Sequence, residues 1–325
     1  MLSDLFAAAV RRRRERYAHR PDLRRRLRHP VVSIGNLAAG GRGKTPLVVA
    51  AARLLLEMGE RPAILSRGYG RALREDGVVI VSDAAGLRAD LDRSGDEPLM
   101  LARQLRGAAV LACEDRYLAG RLAEHHLGAT VHLLDDGFQH LQLERDADIV
   151  LVGREDVERP VTFPAGRLRE PVDALVAADA IVAVDPDVSI EGVSEEVPVF
   201  GVRRAGGEAV GVRPGTPVFA FAGIARPAGF FADLRAAGWD VRGTRAFRDH
   251  HRYGSAELTR LAGEAARVGA AALLTTEKDV VRLLPLRPFP LPVGWVPLTM
   301  EPDPLPEFRR WLAGTLDAAR DIIRD

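Results

Sequence analysis

Val31-Val-Ser-Ile-Gly-Asn-Leu-Ala-Ala-Gly-Gly-Arg-Gly-Lys-Thr-Pro46 decides the fold. A short β-branched run, Val31 to Ile34, enters a loop holding Gly35, Gly40, Gly41 and Gly43, and Lys44-Thr45 open an apolar stretch, Leu47 to Leu56, that reads as helix. Strand, glycine loop and helix in that order form a cradle for a polyphosphate. The glycines let backbone N–H groups turn inward, the lysine brings a compact positive charge to the outer phosphates, and the threonine hydroxyl can complete a Mg²⁺ shell. The pattern is A/G-x-x-x-x-G-K-T, with Ala38 at its first position. A dinucleotide fingerprint fails on spacing, because Gly41-x-Gly43 needs a glycine where Pro46 stands and Gly68-x-Gly70 needs one at Leu73. The stretch therefore reads as a nucleoside-triphosphate site.

Lysine usage singles out the same place. Of 46 Lys and Arg residues only Lys44 and Lys278 are lysine, so the chain keeps an ammonium where a planar guanidinium would not fit. A length of 325 residues suggests about two domains. The 47% hydrophobic and 28% charged content is that of a globular chain rather than a disordered one. A net charge of +1 gives no general pull toward nucleic acid, yet residues 1–30 carry ten arginines against Asp4, Glu15 and Asp22, leaving a mildly acidic body. One cysteine, Cys113, excludes an internal disulfide, and no apolar run is long enough for a membrane span or a signal peptide core. The expected location is the cytosol.

Residues 1–29 begin with Leu2, Leu5, Phe6 and Ala9 at helical spacing, followed by Arg11 to Arg14 and Arg24 to Arg26. An apolar tip with a polybasic tail suits an interfacial helix on anionic lipid; a solvated helix packed on the body fits the same residues, and the acids argue against a transit peptide. Beyond the glycine loop, strand-like runs at 63–66, 78–81, 109–112, 130–134, 149–152 and 180–184 alternate with helix-like runs at 98–105, 116–126 and 172–177, which predicts a mostly parallel sheet covered on both faces. A break follows: a strand at 197–202, a Gly-rich turn at 204–208, a second strand at 210–212 and a Pro-Gly stop. Strand and helix then resume at 218–222, 230–237, 240–242, 256–268 and 272–275, as a smaller α/β unit. The strand within 292–299 is expected to pair with the linker strand, ahead of an amphipathic helix from about 306 to 323.

Five clusters carry chemistry. Asp135 and Asp136 end the buried run Val131 to Leu134, at the edge where an open parallel sheet binds ligands, and suit a Mg²⁺ bridging the nucleotide's phosphates. In Ser94-Gly-Asp-Glu-Pro98, Asp96 reads either as a helix N-cap or as the base that takes a proton from a hydroxyl nucleophile. Arg167, Arg169 and Glu170 sit between Pro164 and Pro171, a rigid presentation for phosphate-clamping and metal-orienting groups. In Phe247-Arg-Asp-His-His-Arg-Tyr253 a metal site is disfavoured, because adjacent histidines point apart and no third ligand lies near; a histidine acting on a proton fits better. Thr275-Thr-Glu-Lys-Asp279 has the wrong spacing for a guanine-reading motif.

Taken together, Ser33-Ile-Gly-Asn36, Gly40 to Pro46, Ser66-Arg-Gly-Tyr-Gly70, Gly95-Asp-Glu-Pro98, Leu134-Asp-Asp-Gly-Phe-Gln-His140, Gly166-Arg-Leu-Arg-Glu-Pro171, Phe221-Ala-Gly-Ile224, Asp249-His250 and Thr275 to Asp279 resemble the tetraacyldisaccharide 4′-kinases of the lipid A pathway of Gram-negative bacteria. The resemblance runs in order from about residue 30 to 300. It implies transfer of the ATP γ-phosphoryl group, with Mg²⁺, to the 4′-hydroxyl of a tetraacyldisaccharide 1-phosphate, giving lipid IVA. It also implies a P-loop kinase-like α/β/α sandwich and a smaller α/β/α domain joined by a two-stranded linker. The expected division is a basic amphipathic helix over 1–29, a P-loop domain over 30–203, the smaller domain with linker strands over 204–300, and a C-terminal helix over 301–325 packing back on the first domain. By position, Gly40, Gly41, Gly43, Lys44, Thr45, Arg169 and Glu170 fall on the nucleotide, Thr45, Asp135 and Asp136 on the metal, and Asp96 is the base, paired with His250 or its neighbour His251. A lipid substrate favours the interfacial reading of residues 1–29 and a peripheral place on the cytoplasmic face of the inner membrane, with no obligatory protein partner. The rival reading is a P-loop ATPase that drives a conformational or metal-delivery step without phosphorylating a substrate.

Overall fold

The computed structural model describes residues 1–40, 43–73, 75–190 and 192–324. An N-terminal helix α1 (Leu2–His19) precedes β1 (Val31–Asn36), α2 (Lys44–Glu57) and β2 (Pro62–Ser66). Next come β3 (Val79–Asp83), β4 (Gly86–Leu87), α3 (Leu91–Ser94), α4 (Asp96–Gln104), β5 (Ala109–Ala112), α5 (Arg116–His126) and β6 (Val131–Asp135). The first part continues through β7 (Ala147–Val152), α6 (Arg154–Glu158), β8 (Ala180–Ala183) and β9 (Val199–Gly206). The strands order as β9-β8-β7-β1-β6-β2-β5, all parallel, with β3 and β4 added antiparallel beside β5.

These strands are apolar throughout because both faces are covered, and the period-two alternation divides their side chains between two cores. Val32, Ile34, Ile64 and Leu133 face α2, α4 and the C-terminal helix; Val31, Leu65 and Leu134 face α5 and Leu27. β1, β6 and β2 are neighbours, so the loops leaving their C-terminal ends, beginning at 37–40, 136–140 and 67–70, emerge side by side. That is the edge where a parallel sheet opens to ligands.

A second sheet is built by β10 (Val218–Ala222), α7 (Pro227–Ala236), β11 (Val241–Ala246), α8 (Ser255–Arg267), β12 (Ala272–Thr276), α9 (Glu277–Leu283) and β13 (Val293–Val296), in the order β11-β10-β12-β13 and all parallel. The chain returns through β14 (Leu298–Asp303), which pairs antiparallel with β9 from Leu298 opposite Gly206 to Asp303 opposite Gly201. It ends in α10 (Leu305–Arg324), whose Phe308, Leu312 and Leu316 join the core of the large sheet. The α/β class matches the sequence reading. The strand expected within 292–299 instead divides: Val293–Val296 is β13 and pairs with β12 in the small sheet, and the linker strand is met by β14, which begins only at Leu298. Three further local expectations fail for tertiary reasons. The Gly-rich turn at 204–208 is instead strand through Gly206, because β14 supplies a hydrogen-bonding partner. The strand at 210–212 reduces to one bridge between Val210 and Trp295. The run 172–177 is a 3₁₀ segment rather than an α-helix.

Phe308 is fully buried, edge-on to Phe200 on β9 with ring centroids 5.2 Å apart. Phe308→Ala should lower the stability of the large-sheet unit by about 3–5 kcal/mol, read as a fall in the urea midpoint at unchanged slope.

Candidate active site

β1 ends at the buried Asn36, and the chain that follows is seated against residues 167–169: the Ala39 amide donates to the Arg167 carbonyl at 2.8 Å and the Arg169 amide to the Leu37 carbonyl at 2.7 Å. Gly40 and Gly43 have positive φ, +101° and +92°, which favours glycine at both, and the end of the Met300 side chain on β14 lies against Gly43. No side chain caps α2, so its first amides are free to meet an anion. Lys44, the first residue of α2, curls back over the loop, with Nζ 3.1 Å from Asn36 Oδ1, 3.4 Å from the Gly40 carbonyl and 3.5 Å from Asp136 Oδ1. Thr45 follows it on the helix. Gly41 and Arg42 lie outside the described residues.

Asp136 sits just past β6 in the left-handed region, φ +55°, and Arg169 grips its two oxygens at 2.6 and 2.8 Å. Arg169 also donates to Asn36 Oδ1 at 2.7 Å, so Lys44 and Arg169 share that amide oxygen. Burial works against the charged form of Asp136, but the Arg169 hydrogen bonds and the Lys44 charge outweigh it and hold the acid well below the usual carboxylate range. Asp135 is the opposite case. Among the described residues its one side-chain hydrogen bond is a long one from Ser66 Oγ at 3.4 Å, and burial, then the Glu97 and Asp136 charges, push it up to about 7. The buried Arg116, which sequence reasoning missed, tempers both acids from α5 without touching them. A buried carboxyl crowded by other acids is what a divalent cation would relieve. Among the described residues no three ligands are gathered closely enough to cage a metal on their own. That suits Mg²⁺, which takes one or two carboxylates and fills its remaining positions with phosphate and water.

On the same large-sheet unit, Asp96 begins α4. Its N-cap is Gly95, φ +85°, pressed so close to the Tyr69 carbonyl that no Cβ fits, so Asp96 is not the cap that its position suggested. Asp96 Oδ2 accepts from His250 Nδ1 at 2.9 Å, from Arg282 Nε at 2.8 Å and from Arg282 Nη2; Oδ1 accepts the Glu97 amide at 3.1 Å. Burial opposes ionisation here too, yet the His250 hydrogen bond and the Arg282 and Lys278 charges hold Asp96 well below the usual carboxylate range. His250 has φ +56°, a backbone conformation uncommon for a non-glycine residue, and that aims its ring at Asp96. His251 points away, to Glu257 at 2.8 Å and flat against Phe247, which decides between the two histidines in favour of His250.

Arg282 is the residue that no local pattern announced. It is buried, and besides Asp96 it donates to the Gly223 carbonyl at 2.9 Å and to Asp279 Oδ1 at 3.0 Å. Asp279 also accepts from Tyr253 at 2.8 Å and Thr276 at 2.6 Å, and Thr276 caps α9, so this end of the Thr-Thr-Glu-Lys-Asp motif secures α9 within the small unit. Gln104 on α4 adds a hydrogen bond to Glu277 on α9 at 2.6 Å. Glu170, next to Arg169, turns the other way: it is buried against Arg14 of α1, whose guanidinium lies over the Phe138 ring at 4.0 Å. The geometry thus gathers Lys44, Asp136, Arg169 and Asp135 on one side and Asp96 with His250 on the other, and leaves Glu170 supporting the loop from behind.

The family model described as LpxK, tetraacyldisaccharide-1-P 4′-kinase, matches residues 1–317. The tetraacyldisaccharide 4′-kinase of Geobacter metallireducens is 41% identical over 304 residues, covering 88% of each chain. That of Koribacter versatilis is 41% identical over 289 residues, covering 87% of each. Among solved structures, LpxK from Aquifex aeolicus, described as an "apo" form in complex with ATP, superposes with a TM-score of 0.80 at 30% identity over 97% of each chain.

The two ion pairs that dock α1 differ in burial, and their contributions should differ accordingly. Arg14→Ala strands the buried Glu170 and should cost about 3 kcal/mol. Arg11→Ala breaks a half-exposed pair with Asp173 and should cost under about 1 kcal/mol. Chemical denaturation of the two variants reads the contrast.

Proposed function

The chain belongs to the tetraacyldisaccharide 4′-kinase family, and from that premise we propose how its residues share out the reaction. It is an ATP-dependent, Mg²⁺-using kinase that transfers the γ-phosphoryl group to the 4′-hydroxyl of a tetraacyldisaccharide 1-phosphate, forming lipid IVA in lipid A biosynthesis. The units expected at 30–203 and 204–300 act as the two walls of the cleft, the first holding nucleotide and the second completing the acceptor side. Gly40, Gly41, Gly43 and the first amides of α2 cradle the phosphates. Lys44 and Arg169 place positive charge on the group in transit, and Glu170 holds its loop in place through Arg14. Asp135, Asp136 and the Thr45 hydroxyl would hold Mg²⁺, which when bound supplies charge that neutralises the outer phosphates.

The observation that carries the acceptor side is the 2.9 Å bond between Asp96 and His250, with Glu97 beside it near enough to lift the Asp135 carboxyl. As the hydroxyl oxygen bonds to the γ-phosphorus and the bond to the bridging oxygen of ADP breaks, the hydroxyl proton passes to Asp96. Oδ2 is already filled by three donors, so Oδ1 is the oxygen that receives it. A carboxylate this well stabilised is a weak base, which is sufficient here: a loose transition state leaves the hydroxyl proton in place until bond formation is well advanced.

Membrane contact is proposed for residues 1–29. Ser3, Phe6, Ala7 and Arg14 of α1 face the body, with Phe6 edge-on to Phe163. Leu2, Leu5, Ala9, Arg12 and Arg16 lie at three- and four-residue spacing along the free face, and Leu2 and Leu5 are about two-thirds exposed. An apolar tip backed by arginines suits an anionic lipid surface. No helix among the described residues is long and apolar enough to cross a membrane.

Two experiments test these readings. With γ-labelled ATP and the tetraacyldisaccharide 1-phosphate, label should move to the lipid; Asp96→Asn should cut kcat by about 10² or more with the KM for ATP little changed, and a kcat near that of the parent would make Asp96 only a partner for Arg282. Leu2→Glu with Leu5→Glu should strongly reduce sedimentation with anionic vesicles at unchanged ATP affinity, and undiminished sedimentation would remove the membrane role.

A further inference from the structure

Lys278, the second of the chain's two lysines, has no part in the steps above. It extends from the first turn of α9, four-fifths buried, with Nζ 3.0 Å from Glu97 Oε1, 3.2 Å from His250 Nε2 and 3.9 Å from Asp249 Oδ1. Burial alone would favour the neutral amine, but the carboxylates of Glu97, Asp96 and Asp249 outweigh it and raise its pKa above the ordinary lysine value. The group is an ammonium, and an ammonium has donors and no lone pair.

We infer that Lys278 is a positioning residue for His250: by donating to Nε2 it fixes the ring in the tautomer that carries its proton on Nδ1, and so turns that N–H onto Asp96. This rests on the reading of Asp96 and His250 as the acceptor-side pair. The two ring nitrogens face partners of opposite kind, a carboxylate oxygen at 2.9 Å from Nδ1 and a donor at 3.2 Å from Nε2. One neutral tautomer satisfies both. The other sets N–H against N–H at Nε2 and a lone pair against a carboxylate oxygen at Nδ1. Arg282 Nη2 also approaches Nδ1, at 3.5 Å, but it is spent on Asp96 Oδ2, to which it lies much closer.

The arrangement explains why a lysine persists in a chain that otherwise writes arginine. The site offers one lone pair on Nε2 and one carboxylate oxygen on Glu97, in different directions, and a small ammonium with three rotatable donors meets both. A planar fork built for side-by-side acceptors does not. Losing the Nδ1 proton would face Asp96 Oδ2 with a lone pair, rotate the carboxylate and misplace Oδ1. The effect should therefore fall on the chemical step rather than on nucleotide binding.

The test uses the full chain with ATP, Mg²⁺ and the tetraacyldisaccharide 1-phosphate in detergent micelles. In protein labelled with ¹⁵N-histidine, with His250 assigned by difference against His250→Gln, the long-range proton–nitrogen correlations should show the proton on Nδ1. A proton on Nε2 overturns the inference whatever the variants do. Lys278→Met should lower kcat about tenfold or more with the KM for ATP within about twofold of the parent; an unchanged kcat overturns it. Lys278→Arg keeps the charge beside Glu97, and should preserve the thermal midpoint without restoring kcat; a restored kcat overturns it, because charge alone would then suffice. In the His250→Gln background, Lys278→Met should cost no more than about twofold, since a residue acting through His250 has nothing left to position; a further tenfold loss overturns it. If His250→Gln itself leaves kcat unchanged, the acceptor-side reading fails and this inference with it; if it lowers kcat while Lys278→Met does not, this inference alone fails.

Discussion

The buried guanidinium of Arg282 fixes the relation between the two halves of the molecule. A charge taken out of water must be paired, and breaking such a pair costs several kcal/mol. Arg282 meets this demand from both sheets at once, with Asp96 from the large one and Asp279 and the Gly223 carbonyl from the small one. α4 and α9 can therefore meet in only one way, and the His250 ring arrives beside Asp96 as a consequence. Val281 of α9 also packs into the apolar core of the large sheet, but such contact is not directional and does not by itself set this register. The residues that set it are ionic, and they are also the residues of the site.

Two of the three non-glycine residues with positive φ among those described, Asp136 and His250, belong to that site. Each conformation costs roughly 1–2 kcal/mol, and each is offset by what the side chain reaches: Arg169 and Lys44 for Asp136, and Asp96 and Lys278 for His250. The site is thus held by electrostatics against local backbone preference. Asp135 shows the same economy with opposite sign. Among the described residues no cation forms an ion pair with it, and burial pushes its carboxyl up to about 7 where Asp136, one residue on, is held well below the usual carboxylate range. The difference between these neighbours comes from which of them Arg169 can reach.

What was legible in the sequence follows from the range of the interactions. The glycine loop with Lys44 could be read because strand, turn and helix are contiguous, and Asp135-Asp136 because a strand end is a local feature. The apolar run after the second unit reads as one strand for the linker, whereas Val293–Val296 completes the small sheet and only the segment from Leu298 reaches the linker strand. Arg282 was invisible: one arginine among 44, it gains its meaning from Asp96, 186 positions away. The same is true of Glu170, which local context set beside Arg169 and on the nucleotide side, while its buried carboxylate is matched by Arg14 from a helix 156 positions earlier. The Gly-rich segment at 204–208 misled for a related reason. Glycine weakens a strand by a few tenths of a kcal/mol to about 1, less than the ladder with β14 returns.

The loop from 163 to 173 joins the N-terminal helix to the phosphate-side acid. Its Arg169 holds Asp136, its Glu170 holds Arg14, and Phe163 and Asp173 receive Phe6 and Arg11 of the same N-terminal helix. Arg169 and Glu170, adjacent in this loop of turns and bends, point to opposite sides, so one stretch of backbone carries contacts to α1 on one face and to the phosphate-side acid on the other. α1 therefore does not hang from the body as a flexible tether. It is held by a buried ion pair one residue away from the arginine that grips Asp136, so the exposed tip of α1 keeps a defined position relative to the phosphate-side acid. For the lipid contact proposed for α1, a fixed distance between that tip and the phosphate side is a geometric requirement, and this loop sets it.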